Sequence, residues 1–212
     1  MKLRYIILKG AMLVALCIAG NYHAAAQDAA EITSDKIDTQ LGIRTIHTNA
    51  LIGRDEIIER LPTVSLILTE TVYSDESMLP DLCLYIWYLH ETPFAIPDGG
   101  IILIKLSDDT VFELKNILFA SDTIDNEGFY FEPYRKVMHI NQAKVLVTPD
   151  IIKAISDKGI IKIRTQLQDG FPGHEYFDKE YSTPQFTKGL QERYDLIEAA
   201  LATRTGDIRE GF

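Results

Sequence analysis

The sequence predicts a mainly β protein: an antiparallel β-sandwich with a short helix and one C-terminal amphipathic helix. Three observations carry this. Eight segments of strand length, rich in Val, Ile, Leu, Tyr, Phe and Thr, follow one another between turn residues. Helical signals are confined to the C-terminal third. The link between the last two strand-like segments is about ten residues, short for a right-handed crossover between parallel neighbours, so it reads as a cap at one end of a sandwich.

The chain opens with Lys2, Arg4 and Lys9, then the apolar run Gly10 to Gly20, then Ala24-Ala25-Ala26 before Gln27. A basic stretch, a short apolar core and a small-residue cleavage site predict a secretory signal peptide over 1–26. The run is about half the roughly 20 residues a spanning helix needs, and no membrane span is expected. Cys17 invites lipidation, but Leu16 before it is larger than that processing prefers, so cleavage after Ala26 is expected. Residues 27–38 are small, polar and acidic and read as a flexible leader. A single globular domain is expected over 39–205, followed by a frayed tail over 206–212.

Strands are expected at Arg44–Ile52, Thr63–Tyr73, Asp81–His90, Gly100–Leu106, Thr110–Leu118, Gly128–Tyr134, Val137–Val147 and Ile160–Leu167. Ser107-Asp108-Asp109 between two β-rich runs reads as a tight hairpin, and Pro97-Asp98-Gly99-Gly100 as a turn. Thr148-Pro149-Asp150 supplies an N-cap hydroxyl, a proline at the first helical position and an acid in the first turn, with Gly159 as the stop. A second helix is expected from near Ser182-Thr183-Pro184 to Thr203, with Phe186, Leu190, Tyr194, Ile197 and Leu201 forming one apolar stripe against the core.

Charge narrows the function. The formal net charge is −10, from 21 Lys and Arg against 31 Asp and Glu. Removing the signal takes away Lys2, Arg4 and Lys9 and no acid, which moves it to −13. Such a chain repels phosphate backbones, so no nucleic-acid partner is expected. One cysteine, Cys83, remains after cleavage; it sits in an apolar run and reads as a buried hydrophobe rather than a nucleophile.

Three segments carry candidate chemistry. The aromatic segment Phe129–Tyr134, with Trp87, Tyr85 and Tyr88, reads as a stacking platform for a sugar ring or peptide, in which Trp87, Tyr130 and Tyr134 are the candidate ligand-binding residues. Asp122, Asp125 and Glu127, before Gly128, are candidate calcium ligands, though their spacing departs from the EF-hand loop. His174-Glu175 departs from the zinc-binding pattern H-E-x-x-H, because Asp178 stands where the second histidine belongs. No nucleophile elbow, P-loop, dinucleotide fingerprint or C-x-x-C is present, and no cofactor is expected.

The succession ILIKL, an acidic turn, VFELK, then KVLVTPDII, GIIKIR and a final amphipathic helix resembles small uncharacterised exported proteins of Gram-negative bacteria. Their signals end in A-x-A before Gln, as Ala24-Ala25-Ala26-Gln27 does here. The resemblance covers roughly residues 100–203. It implies an exported β-sandwich-like domain and carries no catalytic residues. The expected function is therefore a non-enzymatic binding or interaction module of the periplasm or cell surface, with a protein or glycan as ligand. The alternative is a periplasmic hydrolase built on His174 with Glu175 or Asp178.

Overall fold

The computed structural model describes residues 29–53, 64–75, 77–123, 128–131, 136–168 and 174–203. The expected signal peptide and C-terminal tail lie outside them, as do Asp125, Glu127 and Tyr134. The described residues form a sandwich of two antiparallel sheets with two helices, as the β-type runs predict.

The larger sheet contains β1 (Ile32–Asp38), β2 (Ile43–Thr48), β3 (Leu51–Ile52), β4 (Val64–Tyr73), β5 (Asp81–His90), β8 (Phe129–Phe131) and β9 (Lys136–Leu146). Its order is β1-β2-β4-β5-β9-β8, with β3 also on β4. The smaller sheet contains β6 (Ile101–Leu106), β7 (Val111–Lys115), β10 (Ile160–Gln166) and β11 (Tyr176–Gln185), in the order β11-β10-β6-β7. Helix α1 (Pro149–Lys158) carries the chain from β9 in one sheet to β10 in the other, and α2 (Gly189–Thr203) follows β11.

Alternation along each strand builds the interior. Ile46, Leu66, Leu68, Leu84, Ile86, Ala143 and Val145 of the larger sheet are fully buried, as are Ile102, Ile104, Leu106 and Ile163 of the smaller. The Tyr88 and Thr165 hydroxyls bond across the gap between the sheets at 2.5 Å. Beside them Phe94 stacks on Phe177, with ring centroids 5.4 Å apart. One side is seamed shut where Asn116 bridges Val145 and Ile117 N–H donates to the Lys144 carbonyl. The smaller sheet is narrower, and α2 packs over β1, β2 and β4.

Four expectations change. Residues 32–38, expected within the leader, form edge strand β1 against β2. Strand pairing is made by backbone groups, so a polar segment joins a sheet edge without an apolar signature. The expected strand Arg44–Ile52 breaks at Asn49-Ala50 into β2 and β3, both paired to β4. His174 and Glu175 lead into β11, a strand absent from the expected set, which runs on through Ser182-Thr183-Pro184. Pro184 is accommodated because β11 is an edge strand. The helix then starts at Gly189, after Phe186 and Lys188 turn the chain with φ of 63° and 62°. The apolar stripe still faces the core: Phe186, Leu190 and Ile197 are buried and Tyr194 and Leu201 pack against them.

The other local signals hold. Asp109 takes φ 67° in the hairpin turn, and Asp108 accepts from Thr110 N–H. Thr148 Oγ1 caps α1 by accepting from Ile151 N–H. Asp98 Oδ1 accepts from Ala120 N–H, so this turn acid is structural.

Candidate functional site

Register decides which of the predicted ligand-binding residues can act together. Trp87 on β5 faces Gln142 on β9, and Met138 on β9 faces Phe129 on β8. Gln142 and Met138 share a face by the period of two, so Phe129 lies on the Trp87 face and Tyr130 on the opposite one. Trp87 and Tyr130 therefore do not form one platform. Tyr88 is also turned away from Trp87, into the core, fully buried. Tyr85, next along the same face of β5, shares the Trp87 face as Phe129 does.

The predicted metal residues are not assembled either. Asp122 closes a single 3-10 turn, Ala120–Asp122, and is exposed. Among the described residues no group of three His, Cys, Asp or Glu is placed to hold a metal ion. Asp178 gives both carboxylate oxygens to Arg164, at 2.7 and 2.6 Å, while His174 and Glu175 are exposed. The Arg164 guanidinium, and then Lys162, hold the Asp178 carboxyl below its ordinary range, so it is a committed anion rather than a base.

What the register does assemble is a face. On the side of the larger sheet turned away from the smaller one, a row crosses four strands: Ser34 opposite His47, His47 opposite Thr69, Thr69 opposite Cys83. The next row along β5 sets Tyr85 against Lys144, and the one after sets Ser65, Trp87 and Gln142 side by side. Neighbours in such rows stand about 4.5–5.5 Å apart at Cβ. Thr69 and Cys83 are 1% exposed, and Ser65 and Ile67 are also buried. The outward side of a two-layer sandwich is ordinarily polar and solvated.

The smaller sheet shows that ordinary condition. Its outward side pairs Arg164 with Asp178 and Lys162 with Glu180, a charged network in water. Strand β5 differs because both its alternating sets are apolar or aromatic: Leu82, Leu84, Ile86 and Tyr88 inward, Cys83, Tyr85, Trp87 and Leu89 outward. A central strand apolar on both sides is one covered on both sides, and Cys83 and Leu89 on the outer side of β5 are indeed buried.

The electrostatics of the face favour uncharged donors flanked by ammonium groups. His47 Nδ1 lies 2.9 Å from Thr69 Oγ1. Burial, then Lys36 and Lys144, hold the imidazole below its usual range, so it is neutral at pH 7. Burial pushes the Cys83 thiol up, which keeps it protonated and unreactive as a nucleophile. The Lys144 ammonium sits over the Tyr85 ring, 5.4 Å from its centroid. Trp87 Nε1 and Ser34 Oγ are buried with no hydrogen-bond partner among the described residues. An unsatisfied buried donor costs about 1–3 kcal/mol. A ligand acceptor would recover that cost.

His47, Thr69 and Lys144 lie far apart in sequence and escape any motif search. So does the pairing of His90 with His139, directly opposite on β5 and β9 on the inward face. There the His90 ring packs edge-on against Phe94 and Phe177, and its Nδ1 meets the Thr92 backbone. Compared with protein-family models, curated proteins and solved structures, the chain finds no match in any of the three.

Proposed function

We propose that the protein is an exported, non-enzymatic binding module of the bacterial cell envelope that holds a glycan or a protein segment on the outer face of its larger sheet. The observation that carries this is the Trp87 indole N–H, buried without an acceptor among the described residues on a face that also presents Tyr85 and Lys144. Aromatic rings give large contact area at low entropic cost, and the polar fringe fixes orientation. The N-terminal pattern of basic residues, apolar core and Ala-Ala-Ala supports export. The hydrolase alternative has no such support, because its Asp178 is held by Arg164 and its His174 is exposed.

A thermal-shift screen of neutral glycans, acidic glycans and peptides tests the reading. A ligand at about a hundred times its dissociation constant adds roughly 2.7 kcal/mol, which moves the midpoint by several degrees. The shift should vanish in Trp87→Ala and survive in Arg164→Ala, on the outer face of the smaller sheet. A shift that survives Trp87→Ala and is lost in Arg164→Ala would place the ligand on the wrong sheet and overturn the reading.

A further inference from the structure

Resting on that reading, we propose that the ligand is an acidic glycan, one sugar ring stacked on Trp87 and a carboxylate held by Lys144. Charge complementarity is the first support. The chain is acidic overall, with a formal charge of −10, yet this face presents the two ammonium groups of Lys36 and Lys144. Among the described residues Lys144 is not paired with a carboxylate, whereas Lys136, on the same side of β9, is paired with Glu91. The acid at the start of β5, Asp81, already accepts from the Tyr73 hydroxyl at 2.5 Å.

Spacing is the second support. Trp87 and Tyr85 are successive residues on one face of β5, about 7 Å apart along the strand. Lys144 stands opposite Tyr85 with its ammonium over that ring. A sugar ring lying on Trp87 thus directs a substituent toward Lys144.

Strand position selects a glycan over a peptide. Extended peptides bind by adding to a sheet edge, where main-chain groups are free. Here β4, β5 and β9 are each paired on both sides. The ligand is therefore read by side chains alone, which suits a ring with many hydroxyl acceptors.

Calorimetry of the protein with trigalacturonate, its methyl ester, maltotriose and hexaglutamate tests the inference. Trigalacturonate should bind about tenfold or more tightly than its ester, because a charge-assisted bond is lost on esterification. That advantage should shrink with added salt, disappear in Lys144→Gln and return in Lys144→Arg, with melting midpoints confirming that the variants are folded. Equal binding of acid and ester, both lost in Trp87→Ala, would overturn the acidic ligand and leave the binding face standing. Hexaglutamate binding as tightly as trigalacturonate would overturn the choice of a glycan. Heat from no probe, together with flat melts across the wider screen, would overturn both readings.

Discussion

Glu70 is the residue where sequence and environment disagree most. It lies on the inward face of β4, opposite Leu82, only 6% exposed, with Oε2 buried and unpartnered among the described residues. Burial, and then the Glu198 carboxylate on α2, push its carboxyl up to about 7. The folded state therefore holds a proton that the unfolded chain releases near pH 4.5, and stability falls as pH rises between those values. Asp75, Asp108 and Asp178 shift the opposite way, so their contribution is lost only in more acidic solution. Denaturant unfolding should show wild-type stability dropping by about 1–3 kcal/mol from pH 5 to pH 8. Glu70→Gln should remove most of that slope and raise the midpoint at pH 8. An unchanged slope in the variant would mean that Glu70 is ionised in the fold like any surface acid.

Element by element, α2 is tied to the larger sheet by two buried arginines. Arg193 on α2 is fully buried and donates to the carbonyls of Asn49 (3.0 Å), Ala50 (3.3 Å) and its own Gly189 (2.9 Å). It thereby holds the break between β2 and β3. Arg44 on β2 clasps Asp35 on β1 with two bonds of 3.0 Å and reaches Ala200 O near the C-terminus of α2, where a cation also complements the helix dipole. Arg193→Leu leaves buried carbonyls unsatisfied and should cost about 2–4 kcal/mol in chemical denaturation. A loss under 0.5 kcal/mol would show that water replaces the guanidinium.

These elements also mark where sequence reading reaches and where it stops. Strand β5 was readable to the residue at Asp81–His90, because an unbroken apolar run between turn residues leaves few alternatives. Helix α1 was readable from Thr148-Pro149 and Gly159. Strand β1 was not, since its ITSDKID sequence pairs by backbone and by Asp35–Arg44 rather than by an apolar face. Strand β11 was hidden by its charges and Pro184, both compatible with an edge. Trp87 was visible as a candidate, but its neighbours Ser65 and Gln142, and Lys144 on the diagonal, follow only from the register of β4, β5 and β9.

At the scale of the molecule, the two outer faces are unlike. The smaller sheet carries an ion-paired surface, and the larger carries the partly buried Tyr85 and Trp87 beside Lys144. Exposed polar networks keep a domain soluble, while the half-buried aromatics beside Lys144 are where we propose that the partner sits. Trp87 is the sole tryptophan of the chain, so intrinsic emission reports this face directly. The decisive measurement is a trigalacturonate titration followed by Trp87 emission and by acrylamide quenching. A saturable spectral change with reduced quenching, at the midpoint found by calorimetry, is the expected result. Binding heat with unaltered emission and quenching would contradict it, because the ligand would then sit away from the larger sheet's outer face.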